Sequence, residues 1–305
     1  MNKKLKWITE YFTPYEKHSH AIKRIVVSKK TKFQKAVIAD TYVFGRALFL
    51  DDEIQSAIED EYIYHEALVH PAMILVKEPK DVLILGGGEG ATLREVYKVK
   101  GVRNVTMVDI DGELLSFCYK YLKEWHKGSF DDKRTKIVID DGRRFIFNTS
   151  CLYDIIISDL PTPIKGGPAY LLYTIQFYRK LKERIKKNGV FVLQAGSGAI
   201  HEIKFHHCLY YTLKKLFKFV TPYYVYVPSF DVTWAFLIAN DKYDASKISS
   251  KMINDYIRKR IKGKLKFYDP ESHTHMFSIP LNIRKILSKK GRVITDSHPI
   301  FSMKK

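Results

Sequence analysis

The hydrophobic pattern divides this chain of 305 residues into two stretches of different rhythm, with the change near residue 60. In the first, short runs rich in Val, Ile, Phe and Tyr (22–28, 33–39 and 42–50) are broken by Lys29-Lys30-Thr31, Asp40-Thr41 and Asp51-Asp52-Glu53. Runs of that length bounded by polar turns predict strands joined as hairpins, forming a small sheet of their own. Residues 59–75 then place Ile63, Ala67 and Leu68 at helical spacing, and Pro79 is expected to end that helix.

After Pro79 the pattern becomes strand, turn, helix, repeated. Brief apolar runs at 82–85, 105–108, 137–139, 155–157 and 190–193 read as buried strands, and 223–227 and 234–239 add two more. Helices are predicted from the glycine turn through Val99, over 114–125, from Arg144, over 177–187 and over 205–219, with Asn188-Gly189 closing the fourth. Such alternation predicts a doubly wound α/β sheet with helices on both faces. From Asp241 onwards the chain is Lys-rich and partly helical.

Composition narrows the class. Hydrophobic residues are 46% and charged residues 28%, which suits a globular chain. No apolar run approaches the roughly 18 residues of a membrane span. Lys3, Lys4 and Lys6 lack a following apolar segment, so no secretory signal is expected. Cys118, Cys151 and Cys208 are scattered, odd in number and without metal-ligand spacing, which predicts a cytoplasmic protein with no metal centre. The 52 basic and 33 acidic residues leave a net charge of +19. That excess fits a polyanion partner or a lysine-rich host proteome, and composition does not separate the two.

The candidate chemistry lies at strand ends. Gly86-Gly87-Gly88-Glu89-Gly90 follows the first strand of the second stretch. Glycines at a strand–helix turn let backbone approach a ligand, though they also serve packing alone. Asp109 ends the next strand, about 20 residues on, where an acid can grip ribose hydroxyls. Its bland alternative, capping a helix, suits Asp111 better. Glu89 inside the turn would repel a pyrophosphate and attract a cation, which favours a nucleoside bearing a positive group, such as an adenosyl sulfonium. Asp140-Asp141-Gly142 ends the third strand, where it could hold an adenine amino group or merely cap a turn. Asp159 leaves the fourth strand for the loop Leu160-Pro161-Thr162-Pro163, and Gly166-Gly167-Pro168 would let that loop fold over a ligand.

These motifs, in this order, resemble the polyamine aminopropyltransferases, the spermidine, spermine and thermospermine synthases. The resemblance spans residues 7–270 and adds Phe33-Gln34, Gly45, Leu50-Asp51, Gln55, the run from Asp60 to Glu66, Gly189 to Gly196, Val227 to Phe230 and Thr233-Trp234. The later motifs look most like the thermospermine synthase branch. The family implies a Rossmann-like, methyltransferase-type sheet of seven strands (residues 61–305, with the Lys-rich tail) beside an N-terminal β domain (residues 1–60). It implies transfer of an aminopropyl group from decarboxylated S-adenosylmethionine, a co-substrate and not a cofactor, to a polyamine, releasing methylthioadenosine. A homodimer or homotetramer in contact through the N-terminal sheet is implied as well.

Residue by residue, the resemblance assigns Gln34, Gly86, Gly88, Glu89, Asp109, Asp141, Gly142 and Pro168 to the nucleoside and donor. It assigns Tyr64, His65 and Gln194 to the amine side and Asp159 to the catalytic base. Thr162 stands where the family commonly has a second loop aspartate. Phe230, Asp231 and Trp234 offer rings and an acid for the stems and ammonium groups of a long amine, so spermidine or another triamine is expected to serve at least as well as putrescine. The cavity is expected to gather Glu89, Asp109, Asp141 and Asp159, with Asp231 near the acceptor, leaving the lysines outside. The rival from another class is an S-adenosylmethionine-dependent nucleic-acid methyltransferase. Its loop normally offers an aromatic platform for a flipped base, which Pro163-Ile164 does not, so a specific nucleic-acid partner is not expected.

Overall fold

Five antiparallel strands open the chain in the computed structural model, which describes residues 5–301. They are β1 (Lys6–Thr13), β2 (Glu16–Lys30), β3 (Lys35–Thr41), β4 (Arg46–Leu50) and β5 (Glu53–Ala57), and they pair in chain order as a meander. Strands β1 and β5 are not announced by the hydrophobic pattern. Lys6–Thr13 mixes charge among its rings, and Glu53–Ala57 carries a single large apolar residue. The turn expected at Asp40-Thr41 comes later, where Gly45 takes a left-handed φ of 66° and Thr41 N–H donates to its carbonyl at 2.7 Å.

Helix α1 (Glu61–Met73) follows and stops well before Pro79. Pro71 lies in its last turn and cannot donate to the Ala67 carbonyl four residues back. The Tyr223 hydroxyl donates to that carbonyl instead, at 2.9 Å. The helix is buried on nearly every side. Its polar side chains are therefore interior groups, although helical periodicity predicts a solvated face.

The second sheet contains all seven expected strands: β6 (Asp81–Gly86), β7 (Asn104–Asp109), β8 (Thr135–Ile139), β9 (Tyr153–Asp159), β10 (Ile185–Ser197), β11 (Phe219–Val227) and β12 (Val232–Asn240). Their order is β11-β12-β10-β9-β6-β7-β8; the run from β10 to β8 is parallel and β12 is antiparallel to both neighbours. The connecting helices are α2 (Ala91–Lys98), α3 (Gly112–Tyr121), α4 (Lys123–His126), α5 (Gly142–Asn148), α6 (Ile175–Lys182) and α7 (Lys204–Leu213). Three expected helices are shorter than their patterns, and the one over 205–219 ends at Leu213. The segment 114–125 breaks at Leu122, and residues 185–187 belong to β10. After β12 come α8 (Ser250–Arg260), α9 (Pro270–Phe277) and α10 (Leu281–Leu287).

Strand alternation divides the core. Val82 and Ile84 face α1 and join Val37, Ala39 and Phe49 of the small sheet in one apolar cluster. Leu83 and Leu85 face the other way, with Phe177, Leu181 and Leu209 of α6 and α7. The opposite side of the small sheet, Ala36, Ile38 and Leu48, packs on Ala91, Leu114, Cys118 and Trp125. The small sheet is thus covered on both faces and shares its core with the large one. Among the described residues no helix is long and apolar enough to cross a membrane.

The Lys-rich tail is fastened to α1 through Glu66, a fully buried carboxylate. It accepts from the backbone N–H groups of Lys266, Phe267 and Tyr268 at 2.8–3.1 Å and lies 3.4 Å from Lys98 Nζ. Replacing Glu66 with Leu would leave those three backbone donors without their acceptor and Lys98 with Glu95 alone. The substitution should cost about 3–5 kcal/mol, measured as a lowered midpoint in chemical denaturation, with Glu66→Gln losing less because an acceptor oxygen remains.

Candidate active site

Strands β6 and β9 are neighbours whose chain continuations leave in opposite directions across the sheet, which makes the gap at their carboxyl ends the place for a ligand. Gly86 and Asp159 are register partners there. Gly86 has φ 80°, and a Cβ on it would overlap the Asp159 carbonyl oxygen, which also accepts from Gly87 N–H at 3.0 Å. A Cβ at Gly88 would come 3.2 Å from Asp109 Oδ2. The glycine turn is bare because two carboxylate-bearing strand ends press against it. Over it opens a cavity of about 240 Å³, roofed by residues of the small sheet.

The half of the cavity expected to take the nucleoside is built from caps and strand ends. Asp111 caps α3, accepting from Leu114 N–H at 3.0 Å, and also accepts from the Thr31 hydroxyl at 2.6 Å and Gln34 Nε2 at 3.1 Å. That bridge fastens the small sheet to the large one and seats Gln34 in the cavity wall. With Asp111 as the cap, Asp109 faces the cavity. Burial, helped by nearby Asp111, Glu89 and Asp159, pushes its carboxyl up to about 7. Asp141 does both jobs open to it: it caps α5 through Arg144 N–H at 2.8 Å and lines the cavity, beside Gly142 and Pro168. Asp140 pairs with Arg144 and is absent from the wall.

The other half centres on Asp159. Its Oδ1 accepts from the Tyr64 hydroxyl at 2.7 Å and its Oδ2 from the Thr92 hydroxyl at 2.6 Å. Burial and then Glu89 raise its pKa, while His65 and the two hydroxyls hold it back. The Tyr64 phenol is pushed well above its ordinary value by burial and by Asp159, so it stays a donor. Phe230 stands 6.1 Å from the Tyr64 ring and 5.2 Å from Trp234, and Thr162 completes that wall. Gln194 also lines the cavity, but its amide braces the loop: Nε2 donates to the Leu160 carbonyl at 2.6 Å and Oε1 accepts from Gly196 N–H at 2.8 Å.

Two expected site residues lie elsewhere. His65 is buried behind Glu89, with Nε2 2.6 Å from Glu89 Oε1 and Nδ1 3.0 Å from Glu61 Oε2. Burial favours the neutral ring, yet the two carboxylates outweigh it and raise its pKa to about 10. Asp231 takes a left-handed φ of 51° on the exposed surface and accepts from the Tyr226 hydroxyl at 2.8 Å. Val232 and Trp234, two apart on β12, face the cavity, so Asp231 is not on that wall.

The motifs do not point to Thr92, nor to Glu10, Phe12 and Glu53 of the small sheet, and Asp51 belongs to the Leu50-Asp51 motif without being assigned a site role. Thr92 could have been found as the polar residue just past the glycine turn. Glu10 is the single acid in an otherwise ring-rich strand. Among the described residues, seven carboxylates (Glu10, Asp51, Glu53, Glu89, Asp109, Asp141, Asp159) line the cavity, and no Lys, Arg or His does. His65, Glu89 and Asp159 bring ligating atoms within 4.8 Å of one another. A His65 ring protonated between two carboxylates has no lone pair to give a metal.

The fold and site together define a nucleoside-binding α/β protein with a methyltransferase-like sheet and a cavity made for positive charge. Residues 61–250 match the spermine/spermidine synthase domain and residues 6–57 the spermidine synthase tetramerisation domain. The polyamine aminopropyltransferase of Sulfurisphaera tokodaii is 47% identical over 96% of this chain and 97% of its own, and that of Sulfolobus acidocaldarius is equally similar. A crystal structure of spermidine synthase in complex with the transition-state analogue AdoDATO superposes with a TM-score of 0.87 at 29% identity, covering 94% of this chain and 96% of that one. The spermidine synthase of Thermotoga maritima gives 0.84 at 29% identity, over 94% and 95% of the two chains. The chain belongs to the spermine/spermidine synthase family.

The protonated His65 has a consequence for stability. Its folded pKa of about 10 lies above the ordinary 6.5, so its contribution is complete below pH 6.5 and is lost as pH rises towards 10. His65→Gln should therefore be destabilising at pH 6.5, with the difference in melting temperature from wild type narrowing steadily towards pH 10. A gap that stays constant would show that the ring is neutral in the folded protein.

Proposed function

We propose that this protein transfers the aminopropyl group of decarboxylated S-adenosylmethionine to a primary amine of a polyamine, releasing methylthioadenosine. The observation that carries the reading is the cavity wall, which among the described residues has seven carboxylates and no basic side chain, in a chain of net charge +19. Donor and acceptor are both cations, and a low-dielectric cleft lined by one sign of charge attracts the other.

Asp109 would hold the ribose hydroxyls, while Asp141 and Gly142 receive the adenine edge and Pro168 covers the nucleoside. Glu89, held by His65, would face the donor's aminopropyl ammonium. An alkyl ammonium has a pKa of about 10.4 and no lone pair at neutral pH, so the acceptor must lose a proton before it reacts. Asp159 takes that proton, its basicity raised by burial and by Glu89, and Tyr64 and Thr92 fix its orientation. The freed nitrogen lone pair attacks the methylene bonded to the sulfonium. A C–N bond forms as the C–S bond breaks, and its electron pair returns to sulfur, giving the neutral thioether. Alignment of nitrogen, carbon and sulfur supplies much of the rate. No cofactor is needed in this scheme.

The acids that suit a polyamine disfavour the nucleic-acid methyltransferase alternative, because phosphate would meet carboxylates at the cavity wall. Phe12, Phe230, Val232 and Trp234 supply an apolar wall for methylene stems, which favours spermidine or a longer amine alongside putrescine. The tetramerisation-domain match over residues 6–57 and the exposed Trp7, Tyr11, Ile25 and Val43 support a homotetramer in contact through the N-terminal sheet. Three unpaired cysteines agree with a cytoplasmic setting.

Asp159→Asn should lower turnover at least about 100-fold, the range of a lost general base, while methylthioadenosine binds with near wild-type affinity in calorimetry. Wild-type turnover in that variant would remove Asp159 from the chemistry. Product formation from S-adenosylmethionine and RNA, with none from decarboxylated S-adenosylmethionine and amines, would overturn the reading as a whole.

A further inference from the structure

The loop between β9 and α6 forms one side of the cavity, with Pro161, Thr162, Ile164, Pro168 and Leu172 on the wall. Its first end is braced from the sheet. Gln194 and the Tyr173 hydroxyl both donate to the Leu160 carbonyl, at 2.6 and 3.3 Å, and that hydroxyl reaches the Pro161 carbonyl at 3.1 Å. Between Thr162 and Pro168 the loop bonds to itself, with Gly167 N–H donating to the Ile164 carbonyl at 3.1 Å. Keeping such a stretch over a ligand costs backbone entropy, so the second end needs an anchor of its own.

Arg143 is that anchor. It directly follows Gly142 of the cavity wall, in the first turn of α5, and its Nη1 donates to the Leu171 carbonyl at 2.9 Å and to Thr174 Oγ1 at 3.3 Å. The guanidinium is shared with Asp296, to which Nη1 donates at 3.1 Å and Nη2 at 2.7 Å. Asp296 belongs to the segment 291–301, beyond residues 6–57 and 61–250, the two stretches matched by the family domains. That segment is itself fastened. Ile294 N–H donates to Thr212 Oγ1 of α7 at 2.9 Å, the Ile294 carbonyl accepts from Ile175 N–H at 2.8 Å, and Asp296 N–H donates to Gln176 Oε1 at 3.2 Å. Ile294 and Ile300 are buried, and the Phe301 ring stands 5.9 Å from that of Tyr170. Ile300 and Phe301 share with Thr162 and Trp234 a second cavity of about 280 Å³ beside the first. The segment therefore borders the loop at both ends, near Thr162 and at Tyr170-Leu171.

We propose that Asp296 is a positioning residue for the donor: by fixing the guanidinium of Arg143 it pins Leu171, and the segment 291–301 thereby straps the loop 160–172 over the nucleoside. A planar fork can bond a carboxylate and a carbonyl together, and without the carboxylate the long side chain regains its rotamers. The assignment rests on the aminopropyl-transfer reading for the identity of what lies beneath the loop. The pair is partly exposed, at 21% and 34% for the two side chains, so the effect is about 10-fold, the scale of one charge-assisted hydrogen bond.

The test separates donor from acceptor. With Asp296→Ala, the KM for decarboxylated S-adenosylmethionine and the inhibition constant of methylthioadenosine should both rise about 10-fold, while kcat and the amine KM stay within about twofold of wild type. Trypsin should cut after the exposed Lys165 about 10-fold faster, as followed by mass spectrometry, and saturating methylthioadenosine should restore the slow rate. Arg143→Lys, which keeps the charge but not the fork, should match Asp296→Ala, and the double variant should be no worse than either single one. Asp296→Asn, which keeps the shape and one acceptor oxygen, should give a smaller rise and serves if the Ala variant does not fold. An unchanged donor KM and cleavage rate, an equal rise in the KM of donor and amine, or effects that multiply in the double variant overturn the proposal. Should the wild type neither bind methylthioadenosine nor make it with any amine, the aminopropyl reading fails on its own. Cleavage at Lys165 in the single and double variants would then still judge the strap.

Discussion

A seam of buried charges between α1 and α2 holds the reacting end of this protein together. Arg94 places its guanidinium on Glu61 at 2.8 and 3.0 Å and its Nε on Glu95 at 2.9 Å. Glu95 meets His70 at 3.1 Å and Lys98 at 2.8 Å, and Lys98 reaches Glu66. At the other end Glu61 holds His65, and His65 holds Glu89 at the cavity. Buried ion pairs add little net stability because desolvation offsets their attraction, but removing one member strands a charge. The seam is therefore best understood as a lock on position. It stops α1 from sliding past α2, and Tyr64, between Glu61 and His65 on the same helix, is aimed at Asp159 as a result.

The same lock explains how a strongly basic chain presents an acidic site. Surface lysines act through water and salt, which screen them beyond about 8 Å. The wall carboxylates act across a cleft that excludes much of that water. Glu89 adds to the upward shifts that burial imposes on Asp109 and Asp159. Carboxylates gathered this closely repel one another, and positive charge among them offsets the repulsion. Glu89, which adds negative charge to the wall, thus also raises the proton affinity of Asp159.

Close backbone packing supplies the remaining constraint. Gly86 and Gly88 are where two carboxylate-bearing strand ends meet the turn, so a side chain at either would displace the group it is meant to serve. The small sheet is tied to this point by Thr31 and Gln34 on Asp111, the residue that also caps α3. One carboxylate thus links a helix start, the strand end that carries Asp109 and the cavity roof.

By itself the sequence determined the seven strands of the large sheet, the glycine turn and the acids at its strand ends, because period-two burial and strand-end geometry are local properties written in consecutive residues. It also pointed to Asp111 over Asp109 as the helix cap, a matter of three-residue spacing. Tertiary structure alone decided which polar groups share a space. His65 stands next to Tyr64 in the chain, yet helical rotation turns one ring behind Glu89 and the other into the cavity. Asp231 neighbours Phe230, yet a left-handed turn sends it outward. Strands β1 and β5 form because the large sheet, α1 and each other cover them, and Glu10 reaches the cavity only through that packing. A residue's chemistry can be read from the chain, but its partners depend on contacts between distant segments, which no local pattern encodes.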